Sequence, residues 1–346
     1  MLKKVAQATV VMLALSLSSQ VVAENVQRSL CVFDVIGKNG DTYQLMKKYA
    51  LQAKTWGVDF KLKPYTEESL VVSDFRSGKC DAIELFGIKN RDLVRFPGSL
   101  DMMAALPSYD GLYTAVAALS SPRAADKMKQ GKYETVGIIP GGKVYLFSHN
   151  RDRLSDWNDL AGSKITVLSD DEQAVEMINY VGGSVLSASV STFAGMFNSG
   201  SADLCYAPGF AYEALELYKG LGSNGGILKY NLGILTFQID THFDRFPEDF
   251  GQKSREWVYN NLWEPGMSLV RKAEADIPKD SWVNLDAAQK EKYNGMFADV
   301  RQRLYDNYDT SPVYDPEMQQ LLKKIRCRIL PGNAECTRDT EGGPVL

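Results

Sequence analysis

The sequence has little of what most catalytic sites and nucleic-acid-binding surfaces need. Its 346 residues include only two histidines, His149 and His242, and no metal-ligand spacing relates them. It contains no Gly-x-Ser-x-Gly segment, no His-Glu-x-x-His segment and no Gly-rich phosphate-binding loop. The net charge is −4 and the basic residues are scattered, which argues against a nucleic-acid partner. We therefore predict a protein that is not an enzyme and carries no cofactor.

Beyond residue 23, the sequence has no apolar run long enough to span a bilayer. The N-terminus does carry a shorter apolar run, from Val5 to Leu17, which follows the positive charges of Lys3 and Lys4. Small residues then stand at Val21-Val22-Ala23, as a cleavage site requires. These features predict a signal peptide over residues 1–23, cleaved near Ala23, and a periplasmic protein.

A membrane anchor is the alternative interpretation of this N-terminus, but Gln7, Thr9 and Ser16 interrupt the apolar run. Cleavage would remove two lysines and no acid, so the net charge of −4 would become −6.

Export makes the five cysteines candidates for disulfides. Cys327 and Cys336 flank a Pro-Gly turn, so we expect a bridge that attaches the C-terminal tail to the last helix. Cys31 and Cys80 lie in predicted neighbouring strands and form a second, less constrained pair. Cys205 is left over in an apolar strand, where a buried thiol is the expected state. A nucleophile assisted by one of the histidines is the alternative.

One spacing occurs twice: Phe75-x-Ser77-Gly78-x-x-Asp81 and Phe197-x-Ser199-Gly200-x-x-Asp203. Each copy ends a predicted helix and begins an apolar, strand-like segment. Chance is one interpretation, because Gly is common after helices. A repeated helix–Gly–strand corner instead predicts two similar α/β lobes with a ligand site between them.

The remaining pattern agrees with two lobes. Residues 30–36, 58–65 and 82–86 are strand-like and alternate with helical segments, which predicts a β-α-β-α-β unit with strand order 2-1-3. Residues 109–119 and 227–239 are apolar and β-rich, so we expect them to be the crossing strands between the lobes. From residue 246 onward the pattern is helical.

The predicted fold is α/β, a two-lobe periplasmic binding protein of the type II kind. It has two open, mostly parallel sheets joined by crossing strands, and a helical C-terminal region. The expected partition is a signal peptide at 1–23, lobe I at 24–112 and 233–330 with the C-terminal helices, lobe II at 113–232, and a tail at 331–346.

Three segments resemble TRAP-type solute-binding proteins. Asp159–Val167 is similar to their D-L-x-G-x-K-I-R-V segment, Ser191–Asp203 to their helix-to-strand corner, and Thr241–Phe250 to their x-F-x-x-L-P-x-x-x-Q helix entry. The resemblance covers roughly residues 136–260. It implies a periplasmic binding protein of two lobes, with a long C-terminal helix bracing them.

The sequence departs from that family at the positions that would recognise a ligand. Thr166 stands where the family has an arginine that grips the ligand carboxylate, and Ala207, before Pro208, stands where it has an asparagine. A threonine cannot make the bidentate charged contact of a guanidinium. Arg91, which follows a loop at Gly87, is the predicted replacement cation.

Ligands of open α/β sheets bind beyond the carboxyl ends of the strands. The candidate ligand-binding residues at these ends are Asp34, Lys38, Asn39, Phe86, Lys89, Asn90, Arg91, Ser169, Asp170, Tyr206 and Phe210. Solvated surface charge is the alternative for the three cations, and core packing for the two phenylalanines. Glu84 faces the same strand end, where it could hold a cationic group or pair with Lys89.

The predicted function is capture of a small polar or anionic molecule in the cleft, for a membrane permease or a sensor, by a protein that is a monomer. Closure of the lobes would trap the solute. The alternative is a regulatory subunit of a sensor or efflux system that resembles solute-binding proteins but has no transport role.

Overall fold

The computed structural model of the protein describes residues 25–169, 171–307 and 313–345. The predicted signal peptide, and Asp170 of the predicted site, lie outside these residues. The strands of the described part are β1 (Val26–Phe33), β2 (Val58–Tyr65), β3 (Ala82–Phe86), β4 (Lys129–Gln130), β5 (Tyr133–Ser148), β6 (Lys164–Leu168), β7 (Ser184–Ala188), β8 (Leu204–Pro208), β9 (Gly226–His242) and β10 (Trp282–Val283).

The helices alternate with these strands and then dominate the C-terminal part. They are α1 (Asp41–Ala53), α2 (Glu68–Arg76), α3 (Gly87–Asn90), α4 (Arg95–Gly98), α5 (Tyr109–Ser120), α6 (Glu172–Tyr180), α7 (Val190–Asn198), α8 (Ala211–Ala214), α9 (Tyr218–Leu221), α10 (Phe250–Asp276), α11 (Ala287–Asp306) and α12 (Pro316–Ile329). Among the described residues, no helix is both long and apolar enough to cross a membrane.

The sheet follows the order β2-β1-β3-β9-β5-β8-β6-β7. On one side β1 pairs in parallel with β2 and β3, and β3 pairs antiparallel with β9. On the other side β6 pairs in parallel with β7 and β8, and β8 pairs antiparallel with β5. Each lobe thus has the order 2-1-3 followed by a long antiparallel strand. The two-lobe α/β prediction is confirmed.

The repeated motif forms the same corner in both lobes. Gly78 and Gly200 have φ of 80° and 76°, a left-handed conformation that favours glycine. The Asp81 carboxylate accepts a hydrogen bond from the Ser29 backbone N–H at 2.7 Å, and the Asp203 carboxylate accepts one from that of Lys164 at 2.8 Å. Each aspartate therefore ties the corner to the first strand of its lobe.

The two histidines complete these corners. Nε2 of His242 lies 2.8 Å from the Phe75 carbonyl oxygen, and Nε2 of His149 lies 2.8 Å from the Phe197 carbonyl oxygen. Their rings contact the same phenylalanines at 4.4 and 4.5 Å between centroids. The two imidazoles therefore have equivalent structural roles, one in each lobe.

One predicted crossing strand is wrong. Residues 109–119 belong to helix α5, which begins after Ser108, whose side chain accepts a hydrogen bond from the Gly111 N–H. Its buried residues recur at helical spacing, which an apolar, β-rich composition conceals. The strand that crosses between the lobes is β5, and the other predicted crossing, 227–239, lies in β9.

The elements around the crossing strands are irregular. β5 is one long strand whose register against β9 shifts between Pro140 and Gly142. A short 3₁₀ segment, Pro122–Met128, precedes β4, and the segment after β8 is divided into α8 and α9. Gly40 is the N-cap residue of α1.

Both predicted disulfides are present. Cys31, in β1, is bonded to Cys80, two residues before β3, and Cys327, in α12, is bonded to Cys336. The tail after α12 is also held by buried ion pairs, in which Arg326 contacts Glu335 at 2.5 Å and Glu341 at 2.7 Å. The tail is therefore a packed part of the fold.

Helix α10 runs along both lobes. Near its start, Ser254 donates a hydrogen bond to the Val136 carbonyl of the lobe I half of β5 at 2.7 Å. Near its end, Glu274 accepts a hydrogen bond from Tyr145 of the lobe II half at 2.9 Å. A Cβ on Gly266 would lie 2.9 Å from the Ile139 side chain, so glycine permits the close approach between them. The bracing helix implied by the family resemblance is present.

Candidate functional site in the cleft between the lobes

A cavity of about 360 Å³ lies between the lobes, within the range of about 300–1,000 Å³ typical of small-molecule sites. Its walls come from the segment after β1 and the start of α1, from the Pro208–α8 segment of lobe II, from the middle of β5 and β9, and from the second half of α10. Its lining residues are Phe33, Asp34, Val35, Ile36, Asp41, Thr42, Leu45, Phe86, Ile139, Pro140, Gly141, Gly142, Gly209, Phe210, Glu213, Ala214, Phe237, Gly266, Leu269, Val270, Lys272, Ala273, Glu274 and Asp276.

A smaller cavity of about 100 Å³ also lies between the lobes and shares Phe86 with the larger one. Its lining residues are Phe86, Ile88, Asp101, Met103, Val144, Leu168, Asp171, Gln173, Ala174, Met177, Tyr206, Pro208, Leu232, Gly233, Ile234, Leu235 and Phe297. Phe86 therefore lies between these two compartments of the cleft. A third, more open space of about 530 Å³ is also lined by residues of both lobes, among them Lys89 and Ser169.

The structure distributes the predicted ligand residues over these compartments. Asp34 and Phe210 line the larger cavity, Tyr206 lines the smaller one, and Phe86 lines both. Lys38 and Asn39 are exposed on the turn after β1 and line neither cavity.

Asn90 is fully buried, where its side-chain amide donates hydrogen bonds to Thr135 at 2.9 Å and to Gln238 at 2.5 Å. It thereby joins α3 to the two crossing strands. No comparison tests the ligand-binding role of any of the predicted residues, so that role stays a prediction.

Lys89 and Arg91 reach from lobe I to lobe II. Lys89 Nζ donates a hydrogen bond to the Ser169 carbonyl oxygen at 2.5 Å. Arg91 lies 3.6 Å from the Asp171 carboxylate, with its guanidinium 5.4 Å from the centre of the Tyr314 ring. Both cations therefore make contacts across the cleft, and Arg91 does so while almost fully buried.

Sequence reasoning missed the partners of Arg91. Asp171 accepts a hydrogen bond from Tyr206 at 2.6 Å, and Tyr314 donates one to Gln173. Asp101 is another residue of the smaller cavity. Burial raises its pKa to about 7, although hydrogen bonds from Thr236 act to lower it. Tyr314 lies 141 residues after its partner Gln173, so no local pattern could have indicated its position.

Asp34 combines a structural role with a place in the larger cavity. Its carboxylate accepts hydrogen bonds from the backbone N–H groups of Ile36 at 2.9 Å and Tyr43 at 3.2 Å, which caps the start of α1. Burial raises the pKa of Asp34, and these hydrogen bonds oppose the change.

Glu274 is a second carboxylate of the larger cavity that sequence reasoning missed. It accepts hydrogen bonds from Tyr145 at 2.9 Å and from Tyr109, whose hydroxyl also accepts one from the Lys143 N–H at 2.9 Å. Two tyrosines from different elements thus hold one carboxylate at the cavity wall.

Four phenylalanine rings form a connected wall. Phe33 contacts Phe86 at 5.0 Å between ring centroids, and Phe86 contacts Phe237 at 5.3 Å. Phe210 of lobe II stacks on Phe237 at 6.1 Å. The series of rings, here called the phenylalanine wall (Phe33, Phe86, Phe237 and Phe210), runs from lobe I to lobe II and lines the larger cavity.

Thr166 and Ala207, the two departures from the resembled family, are buried and line neither cavity. The Thr166 hydroxyl has no hydrogen-bond partner among the described residues. Glu84 is also fully buried outside the two linings, where burial and the neighbouring Asp34 and Glu68 raise its pKa well above the usual value.

The nucleophile alternative for Cys205 gains no support from its surroundings. The thiol is buried in the apolar core of lobe II, and burial raises its pKa well above the usual value. Both histidines are engaged in the corner contacts described above.

Comparison with known proteins identifies the family. The family model of the solute-binding proteins AdeT 1/2 matches residues 52–341. The probable solute-binding protein AdeT1 of Acinetobacter baumannii is 37% identical over 310 residues, which cover 90% of this chain and all of that protein. This chain belongs to the AdeT 1/2 family of solute-binding proteins.

Solved structures with the same fold include TRAP periplasmic solute-binding proteins. One from Sulfitobacter, with bound β-D-galacturonate, has a TM-score of 0.69 at 15% identity and covers 87% of this chain and 99% of its own. One from Haemophilus influenzae, with bound L-gulonate, has a TM-score of 0.69 at 14% identity over 86% and 99% of the two chains. The predicted resemblance to TRAP-type proteins is confirmed, and AdeT-family membership together with two disulfides fits a periplasmic location.

Proposed function

We propose that this AdeT-family protein is exported to the periplasm, where it captures a small polar solute between its lobes and presents it to a membrane transporter. The observation that carries the proposal is the larger cavity, whose walls come from both lobes and from the strands that join them. A molecule bound there would contact all of these parts at once. Its binding energy would therefore favour the closed arrangement of the lobes.

The crossing strands supply a place for the lobes to bend. β5 and β9 lose regular register between Thr135 and Gly137, between Pro140 and Gly142, and between Val144 and Leu146. Gly142 has φ of 111°, which favours glycine, and it lines the larger cavity. Irregular pairing beside the solute is suited to a hinge, because few ladder hydrogen bonds resist a change in backbone angles.

The contacts of Lys89 with Ser169 and of Arg91 with Asp171 would form when the lobes close. In this role the two cations act as a latch between the lobes. The replacement-cation role of Arg91 stays a prediction: its guanidinium lies beside Asp171 and Tyr314, while its buried Nη1 atom has no hydrogen-bond partner among the described residues.

The test is a thermal-shift screen of the purified protein across organic acids, amino acids, amines and sugars, followed by calorimetry on each hit. A selective rise in Tm is expected, since a ligand at about 100 times its Kd adds about 2.7 kcal/mol to the unfolding free energy. Small-angle X-ray scattering of the same sample should show a smaller radius of gyration with ligand.

A second function is favoured by the burial of Thr166 and Ala207. With no arginine at the family position, the protein could serve as a regulatory subunit that binds a sensor or an efflux system through its surface. A flat screen combined with co-purification of one membrane protein would favour this function over solute capture.

A further inference from the structure

We propose that the larger cavity selects an organic cation with an apolar body, such as an aryl- or alkylammonium ion. This inference rests on the proposed solute-capture function and names the chemical class of the solute.

The charged side chains that line the larger cavity are mostly acidic. They are Asp34, Asp41, Glu213, Glu274 and Asp276 against one cation, Lys272. Lys272 lies 3.3 Å from the Asp276 carboxylate, so these two charges largely offset each other. No arginine is among the described lining residues. The charge balance therefore disfavours an anionic solute and favours a cation.

The acids belong to different parts of the molecule. Asp34 and Asp41 come from lobe I, Glu213 from lobe II and Glu274 from helix α10. Closure of the lobes would bring these carboxylates around one cavity and exclude water from it. A cation between them would lower the mutual repulsion of the carboxylates, so its binding and closure would be coupled.

The start of α1 would otherwise favour an anion, because backbone N–H groups and the helix dipole are positive there. In this chain the Asp34 carboxylate accepts the Tyr43 N–H hydrogen bond, and Asp41 stands in the first helical turn. The protein's own carboxylates thus already satisfy the anion-binding end of this helix.

The phenylalanine wall supplies the second part of the recognition. Faces of aromatic rings attract cations, with about 0.5–2 kcal/mol from each favourable contact. The Phe237 ring lies 5.3 Å from that of Phe86 and 6.1 Å from that of Phe210 between centroids, and all three residues line the cavity. Leu45, Ile139 and Leu269 add aliphatic surface for the body of the solute.

Glu274 is the acid best placed to fix an ammonium group. Hydrogen bonds from Tyr109 and Tyr145 hold its Oε1 atom. The second carboxylate oxygen, Oε2, accepts no hydrogen bond from any described residue and is therefore available to a ligand. A fixed carboxylate beside aromatic rings is the combination that binds alkylammonium ions.

Matched probes test the inference. Benzyltrimethylammonium and phenethylammonium are the cationic probes, and phenylacetate and galacturonate are the anionic ones; each is titrated calorimetrically into the full mature protein. We expect binding of the cations that weakens as ionic strength rises, and no binding of the anions.

Variants locate the site. Glu274→Gln keeps an oxygen for both tyrosines but removes the charge, and we expect it to weaken cation binding about tenfold or more. Phe210→Leu keeps an apolar side chain but removes the ring face, and we expect a loss of about threefold. The control is Glu264→Gln on the same helix, an exposed residue that pairs with Arg271 outside the cavity and should change nothing.

Lys272→Met distinguishes the two charge classes. It should strengthen cation binding, whereas it would weaken the binding of an anion held by that lysine. Far-UV circular dichroism and Tm of each free variant show that it is folded.

The outcomes separate the two proposals. Binding of the anions but not the cations would overturn the cationic class and leave solute capture intact. Equal loss of cation binding in Glu264→Gln and Glu274→Gln would also overturn it, because a general charge effect would then explain the affinity. Absence of binding for every solute in the broad screen would overturn solute capture itself.

Discussion

The two lobes use one backbone plan but fill equivalent positions differently. Leu30 pairs with Ala82 in lobe I as Ile165 pairs with Leu204 in lobe II, which makes Cys31 the equivalent of Thr166 and Glu84 the equivalent of Tyr206. Lobe I carries a disulfide beside this pair of strands, and lobe II does not. The plan is therefore shared, while the means of holding it together differs.

The helix-to-strand corner of lobe I is also held by more contacts than that of lobe II. Asp81 of lobe I accepts hydrogen bonds from Ser29 and from Arg245 at 2.8 Å, whereas Asp203 of lobe II accepts one from the Lys164 N–H. His242 is almost fully buried and His149 only partly. The corner of lobe I is thus held by more contacts than the corner of lobe II, and we expect lobe I to be the more stable lobe.

The largest expected loss of stability comes from removing the disulfides. Replacing both Cys31 and Cys80 by alanine should lower the unfolding free energy by about 4 kcal/mol, because the bridge closes a loop of 49 residues. The same change at Cys327 and Cys336, which are 9 residues apart, should cost about 2.5 kcal/mol. Urea unfolding of both variants measures the difference. An equal loss in the two variants would contradict the loop-length explanation.

The next effect concerns the two corner aspartates. Asp81→Asn should cost about 2–3 kcal/mol, because it weakens a charged contact with Arg245 and hydrogen bonds with Ser29. Asp203→Asn should cost about 1 kcal/mol, since one backbone hydrogen bond is weakened. Denaturant unfolding of the two single variants under identical buffer compares them. A larger loss at Asp203 would reverse the proposed ranking of the lobes.

A pH dependence of stability should arise from Glu84 and not from its lobe II equivalent, Tyr206. Burial raises the pKa of Glu84, so the folded state keeps a proton that the unfolded state releases above its pKa of about 4.5. Stability should therefore fall as pH rises from there, by up to about 1.4 kcal/mol per pH unit.

Glu84→Gln should reduce the dependence of the unfolding free energy on pH. Tyr206→Phe removes a hydrogen bond to Asp171 but should leave that pH dependence unchanged between pH 5 and 8. Thermal unfolding of the variants across this range measures the slopes. Parallel curves for Glu84→Gln and the parent protein would show that Glu84 does not carry the effect.

The frame of both lobes was predictable because it depends on local signals. The corner of each lobe has a glycine at positive φ and an aspartate three residues later, and an apolar strand follows directly. Cysteines in predicted neighbouring strands likewise gave one bridge, and cysteines on either side of a Pro-Gly turn gave the other. Helix α5 was missed because its apolar residues fit a strand composition, and only their spacing and the Ser108 cap mark a helix.

The cleft was harder to predict because its residues meet through tertiary packing. Phe86 and Phe210 were found from their positions at strand ends, but Phe237 and Glu274 come from a crossing strand and a distant helix. Arg91 was expected to face a ligand, and its partner Tyr314 lies more than 200 residues away. The sequence pattern locates strand ends, and it does not record which distant side chains occupy the space beyond them.

The most direct measurement is a crystal structure of the protein purified under native conditions and supplied with the tightest-binding solute of the screen. We predict one molecule in the larger cavity that contacts Phe86 and Glu274, together with a residue of lobe II such as Phe210. A larger cavity that stays empty or is filled by the protein's own side chains, with the solute bound elsewhere, would contradict capture between the lobes.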